Sequence, residues 1–131
     1  MSEATTRLHL RRQLEAHLSA LGYSCVRTRK TGGPIPEIVR VSPVRGRIAY
    51  GETVVHGDLQ RQTCHERLLS FSQRRTRQRS SILFFIGVAL VDRPALEALL
   101  EELDIRSDTR GGHVHVVPID EPRRRTAPAR D

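Results

Sequence analysis

Residues 33–55 read GPIPEIVRVSPVRGRIAYGETVV, and the pairing of this stretch with itself decides the fold. Apolar and polar residues alternate over 35–42 and again over 47–55, the period of a pleated strand. Between them, Pro43 presets its backbone and Gly46 accepts a left-handed conformation, so PVRG predicts a hairpin turn. A four-residue loop puts Ser42 opposite Arg47, and facing positions then sum to 89. Val41 faces Ile48, Val39 faces Tyr50, and Glu37 faces Glu52, with all six residues expected on one face of the sheet. Directly opposed side chains have Cβ atoms about 5 Å apart, where like charges are destabilising. Three arrangements relieve that repulsion. A divalent cation can take oxygens from both carboxylates and a backbone carbonyl, an arginine can bridge them, or one glutamate can stay protonated. A different register would leave both carboxylates solvated at strand ends.

Outward from the hairpin, Leu10, Leu14, Leu18 and Leu21 form one stripe of a helix expected over 6–21, ended by Gly22. A first strand follows over 23–30 and breaks at TGGP. After HGDLQ, a second helix is expected over 61–79, with Cys64, Leu68 and Phe71 facing inward. ILFFIGVAL at 82–90 is an uninterrupted apolar run, the mark of a strand covered on both faces. Pro94 opens a third helix that buries Leu96, Leu99, Leu100 and Leu103, and HVHVVPI at 113–119 is the last strand. The order helix, three strands, helix, strand, helix, strand predicts an α/β fold. Its mixed sheet of about five strands is antiparallel at the hairpin and parallel near Ile82. One domain is expected over 1–120, with a basic, disordered tail over 121–131.

The chain has 131 residues, 22 of them basic and 15 acidic, for a net charge of +7, and Lys30 is the single lysine. That balance favours polyanionic partners, since neutralising phosphates releases counterions and guanidinium groups add bidentate contacts. Two cysteines, Cys25 and Cys64, make no disulfide framework, and no apolar run reaches the length of a membrane span. A cytoplasmic location without membrane association is expected.

PEIV, then GET with its glutamate fifteen residues later, within this order of elements, resembles the PD-(D/E)xK nuclease superfamily. The similarity covers about residues 8–119. LSALGYSCVRTRKTGGPIPEIV in particular is similar to small Holliday-junction resolvases, Mrr-like endonucleases and bacterial relatives. The resemblance implies a restriction-endonuclease-like fold and Mg²⁺- or Mn²⁺-dependent hydrolysis of phosphodiesters. It implies Glu37 and Glu52 as metal-binding acids and the Thr53 carbonyl as a further ligand. Such a metal polarises the phosphate and lowers the pKa of the attacking water. The family's lysine falls at Val54, which carries no charge. Lys30 and Arg67 are the candidates for a migrated catalytic cation.

Six arginines and one acid lie between Arg61 and Arg79, an expected footprint for a phosphate backbone. The nucleic-acid-binding candidates are Arg29, Lys30, Arg61, Arg74 and Arg75, with DNA the expected partner. His113 and His115 are expected on one side of a strand and form no zinc spacing with Cys64. A homodimer is compatible with the sequence. Two functions follow: a metal-dependent endonuclease, or a catalytically inactive module on the same scaffold that binds DNA or protein.

Overall fold

The computed structural model describes residues 2–26, 35–42, 47–74 and 82–120. Along the chain run α1 (Glu3–Ala20), β1 (Cys25–Val26), β2 (Ile38–Val41), β3 (Ile48–Val54), α2 (Gln62–Ser72), β4 (Leu83–Ala89), α3 (Arg93–Glu102) and β5 (Val114–Ile119). Short 3-10 turns, His56–Gln60, Leu90–Asp92 and Asp108–Arg110, join several of them. The strands form one sheet in the order β1-β2-β3-β4-β5. Its first two pairings are antiparallel and its last two parallel. The chain is therefore an α/β protein with a mixed sheet, in the expected order of elements.

The hairpin has the register derived from its sequence. Val41 pairs with Ile48 and Val39 with Tyr50, and the Ser42 N–H donates to the Arg47 carbonyl at 2.9 Å. The turn at 43–46 itself lies outside the described residues, as do Arg29, Lys30, Arg75 and the tail at 121–131.

Helices cover both faces of the sheet. On one face the α1 stripe of Leu10, Leu14 and Leu18 is buried, and Leu14 and Leu18 share a core cluster with Tyr23, Ile38, Ala49 and Phe85. The helix begins at a Ser2 cap, whose side chain accepts from the Thr5 N–H. Close approach of α1 depends on Gly51, where a Cβ would stand 3.0 Å from the Cβ of Ile38 and 3.2 Å from Leu14 Cδ2. On the other face Tyr50, Val54, Phe84, Ile86 and Val88 pack with residues of α2 and α3 into the larger core. Apolar residues alternating to both faces explain why β4 reads as a continuous apolar run.

Two helix ends and one pair of side chains differ from expectation. Leu21 lies at the C-cap of α1 and is 53% exposed, because the helix stops before the stripe reaches it. The second helix ends at Ser72, so Arg74 follows its C-cap instead of standing on its basic face. His113 and His115 also diverge: His113 Nε2 lies 2.6 Å from the Ser72 carbonyl, whereas His115 stacks on Phe85. Among the described residues, no helix is long and apolar enough to cross a membrane.

Candidate functional site

Glu37 directly precedes β2, held there by Pro36, and Glu52 lies near the end of β3. Continuing the ladder by one step beyond Ile38 and Gly51 brings them opposite each other. Each carboxylate then grips the other strand's backbone. Glu52 Oε2 accepts the Glu37 N–H at 2.6 Å, and Glu37 Oε1 accepts the Thr53 N–H at 3.0 Å. The Thr53 hydroxyl is 2.8 Å from both oxygens of Glu37. Like charges are tolerated here because every close approach is through a donor.

The cations come from opposite sides. Arg67 on α2 clamps Glu52 in a fork, Nε to Oε1 and Nη2 to Oε2, both at 2.9 Å. Its Nη2 also donates to the Ile35 carbonyl at 3.0 Å. Arg7 on α1 donates through Nη1 to the Thr53 carbonyl at 3.1 Å and lies 3.8 Å from Glu37 Oε1. Its Nη2 reaches Asp58 Oδ2 at 2.8 Å. Glu52 thus turns toward α2 while the Glu37 carboxylate turns to Thr53, whose neighbours two and four residues back along β3, Gly51 and Ala49, pack beneath α1. The two acids nonetheless line one cleft, with Glu37 just outside the ladder and bonded to the Thr53 N–H.

Asp58, buried in the turn after β3, anchors the far side. It accepts the Val55 N–H at 3.1 Å, Arg7 and, at 2.7 Å, Arg61. Arg61 pairs in addition with Glu3 at 2.7 Å. These groups line an open cleft of about 440 Å³. Val54 stands behind it, 1% exposed within the apolar core, so the position matched to the family lysine holds no cation and has no room for a solvated one.

Burial pushes the Glu52 carboxyl above its ordinary value, against the Arg67 fork and the Glu37 N–H, which pull it down. Glu52 in turn raises Arg67 through their hydrogen bonds. Cys64, also at the cleft, has its thiol pushed up to about 11, mainly by burial, so it is a neutral thiol at pH 7 and a poor nucleophile.

The expected ligand set of Glu37, Glu52 and the Thr53 carbonyl is therefore brought together, but each member has a nitrogen donor. Three carboxylates and three guanidinium groups line the cleft, leaving no excess negative charge for a divalent cation. Among the described residues, no group of three or more His, Cys, Asp or Glu is placed to hold a metal ion. With Arg7 and Arg67 in these positions, the residues do not fit Mg²⁺ or Mn²⁺, which require freely available oxygens in near-octahedral array.

Of the two candidate cations, Arg67 lies against Glu52, and Lys30 lies outside the described residues. Arg74 lies over the rings of Phe71 and Tyr50, 4.9 and 5.8 Å from their centroids. Arg61 serves the Glu3 and Asp58 pairs, so neither stands on a bare basic surface. Arg7 and Asp58 escaped the sequence reading. Arg7 had a signal, because it stands one step before Leu10, Leu14 and Leu18 on the same helical stripe, where a charge must find a partner. Asp58 had none beyond its place in a turn. No family model, curated protein or solved structure matches the chain.

Proposed function

We propose that this chain is a DNA-binding module with a PD-(D/E)xK-like, restriction-endonuclease-like layout, in which arginines hold the acidic pair and phosphodiester cleavage has been lost. The layout is supported by the order of elements and by the meeting of Glu37 with Glu52. The observation that carries the loss of cleavage is the pair of guanidinium groups: Arg67 forks onto Glu52 and Arg7 donates to the Thr53 carbonyl. A catalytic metal would need those same oxygens.

Charge distribution supports the DNA reading. Of the 22 basic residues 11 belong to the described body, which also carries 13 of the 15 acids. The remaining 11 basic residues and 2 acids fall in 27–34, 43–46, 75–81 and 121–131. The positive excess is thus concentrated in these four stretches of sequence, while the rest of the chain is slightly acidic. Phosphate contacts from such stretches give affinity that falls steeply with salt and does not depend on base sequence.

Fluorescence anisotropy with a labelled DNA duplex, in EDTA and then in Mg²⁺, tests both parts. Binding at low salt, weakening steeply as salt rises and persisting in EDTA, with plasmid DNA left intact in Mg²⁺, is the expected result. Nicking in Mg²⁺ that Glu37→Ala and Glu52→Ala each abolish would restore the endonuclease reading. A chain that fails to bind DNA at low salt would refute both.

A further inference from the structure

On the α1 face the sheet is only partly roofed. The single helix lies over β3 and β4, and the adjoining part of β5 is left half-buried. There, away from the acidic pair, His17, Leu21, Tyr23, Phe85, His115 and Pro118 line an open groove of about 500 Å³. Its floor is an ordered stack. The His115 ring lies on Phe85, centroids 4.8 Å apart and planes 17° from parallel. Phe85 is itself fixed, 3% exposed and braced edge-on by Tyr23 at 6.3 Å and His17 at 6.0 Å. Asp108 Oδ2 stands 3.1 Å from His115 Nδ1 and sets the rotation of the imidazole. The His115 side chain remains 33% exposed.

We propose that this groove receives an unpaired nucleobase, stacked on His115. The identity of the occupant rests on the DNA reading above and makes it more specific: the preferred substrate carries unpaired or extruded bases. A flat ring continues the Phe85 and His115 stack, and a platform already held by packing and a hydrogen bond loses little entropy on binding. The walls, Leu21 and Pro118, suit the faces and edges of an aromatic heterocycle. Asp108 has a second carboxylate oxygen that accepts an exocyclic amino group, so adenine and cytosine are favoured over thymine and uracil.

The test is an NMR titration of the full chain with adenosine and, separately, uridine, followed by binding of a short single strand containing 2-aminopurine. Adenosine should shift the ring signals of His115, His17 and Phe85, and uridine should shift them less. The 2-aminopurine should be quenched on binding. His115→Ala and, on the exposed helix surface, His17→Ala should weaken single-strand binding, the former by about tenfold, with duplex affinity unchanged. Adenosine lacks phosphates, so unshifted His115 signals up to its solubility limit overturn the groove even if duplex DNA binds. Shifts at His115 without any binding of DNA would instead refute the DNA reading and leave a nucleoside site. Unchanged single-strand affinity in both folded variants, or binding of an aromatic peptide in preference to the nucleosides, also overturns the proposal.

Discussion

At the level of single residues the molecule turns on Arg67, because Glu52 is 5% exposed and this fork is its strongest link to a positive charge. Arg67→Met leaves a buried carboxylate without its counter-ion and should cost about 3 kcal/mol, short of the fully buried extreme because Arg67 is about one-third exposed. Combining it with Glu52→Gln should recover much of that loss, a coupling that urea unfolding of the four proteins would reveal; additive losses would contradict it. The pH dependence has a definite sign. The native Glu52 carboxyl titrates above 4.5, its ordinary value, because burial disfavours the charge, so in this window the native state binds more protons than the unfolded chain. Its favourable contribution is complete below about pH 4.5 and is lost as pH rises through the raised native value. Relative to Glu52→Gln, the wild type should lose stability as pH increases across that range. Urea midpoints that diverge in the opposite sense would show that the arginine fork outweighs burial.

Among the elements, the interface between α1 and the sheet is the most constrained. A valine at Gly51 would drive Cγ atoms into Ile38 and Leu14, so Gly51→Val should destabilise by about 1–3 kcal/mol. By contrast, a Cβ at Gly57 meets only the ends of Glu3 and Arg61, and Gly57→Ala should stay within about 0.5 kcal/mol. Equal thermal shifts in the two variants would contradict this account of helix docking. The hairpin register was legible because its pairs must alternate about one turn, and β4 because a doubly covered strand has no polar side. The end of α2 was not legible: the arginines at 74–79 have good helical propensity, and the stop at Ser72 comes where its backbone carbonyl is already bonded to His113 from beyond β4. Nor did alternation foresee that Glu37 would turn to Thr53. Strand periodicity governs paired residues, and Glu37 stands one position outside the pairing.

Considered as a whole, the protein concentrates its positive excess in four stretches of sequence, 27–34, 43–46, 75–81 and 121–131. Replacing Arg123, Arg124 and Arg125 by alanine should lower the slope of log affinity against log salt by up to about 3, while leaving the melting temperature unchanged. An unaltered slope would remove the tail from the DNA contact. The acidic pair at the centre of the cleft was visible in the sequence, and so was Arg67 as a candidate partner, but Arg7 was not, since a helix's crossing position over a sheet is set by packing that no local pattern records. Arg7 and Arg67 arrive at that one point from helices on opposite faces. The most direct measurement is therefore a Mn²⁺ titration of the wild-type chain followed by electron paramagnetic resonance. The signal of free Mn²⁺ should track the total added, with no site lost on Glu37→Ala or Glu52→Ala. A stoichiometric Mn²⁺ ion that disappears in both variants would contradict it, because the guanidinium groups would then have yielded the oxygens they are assigned.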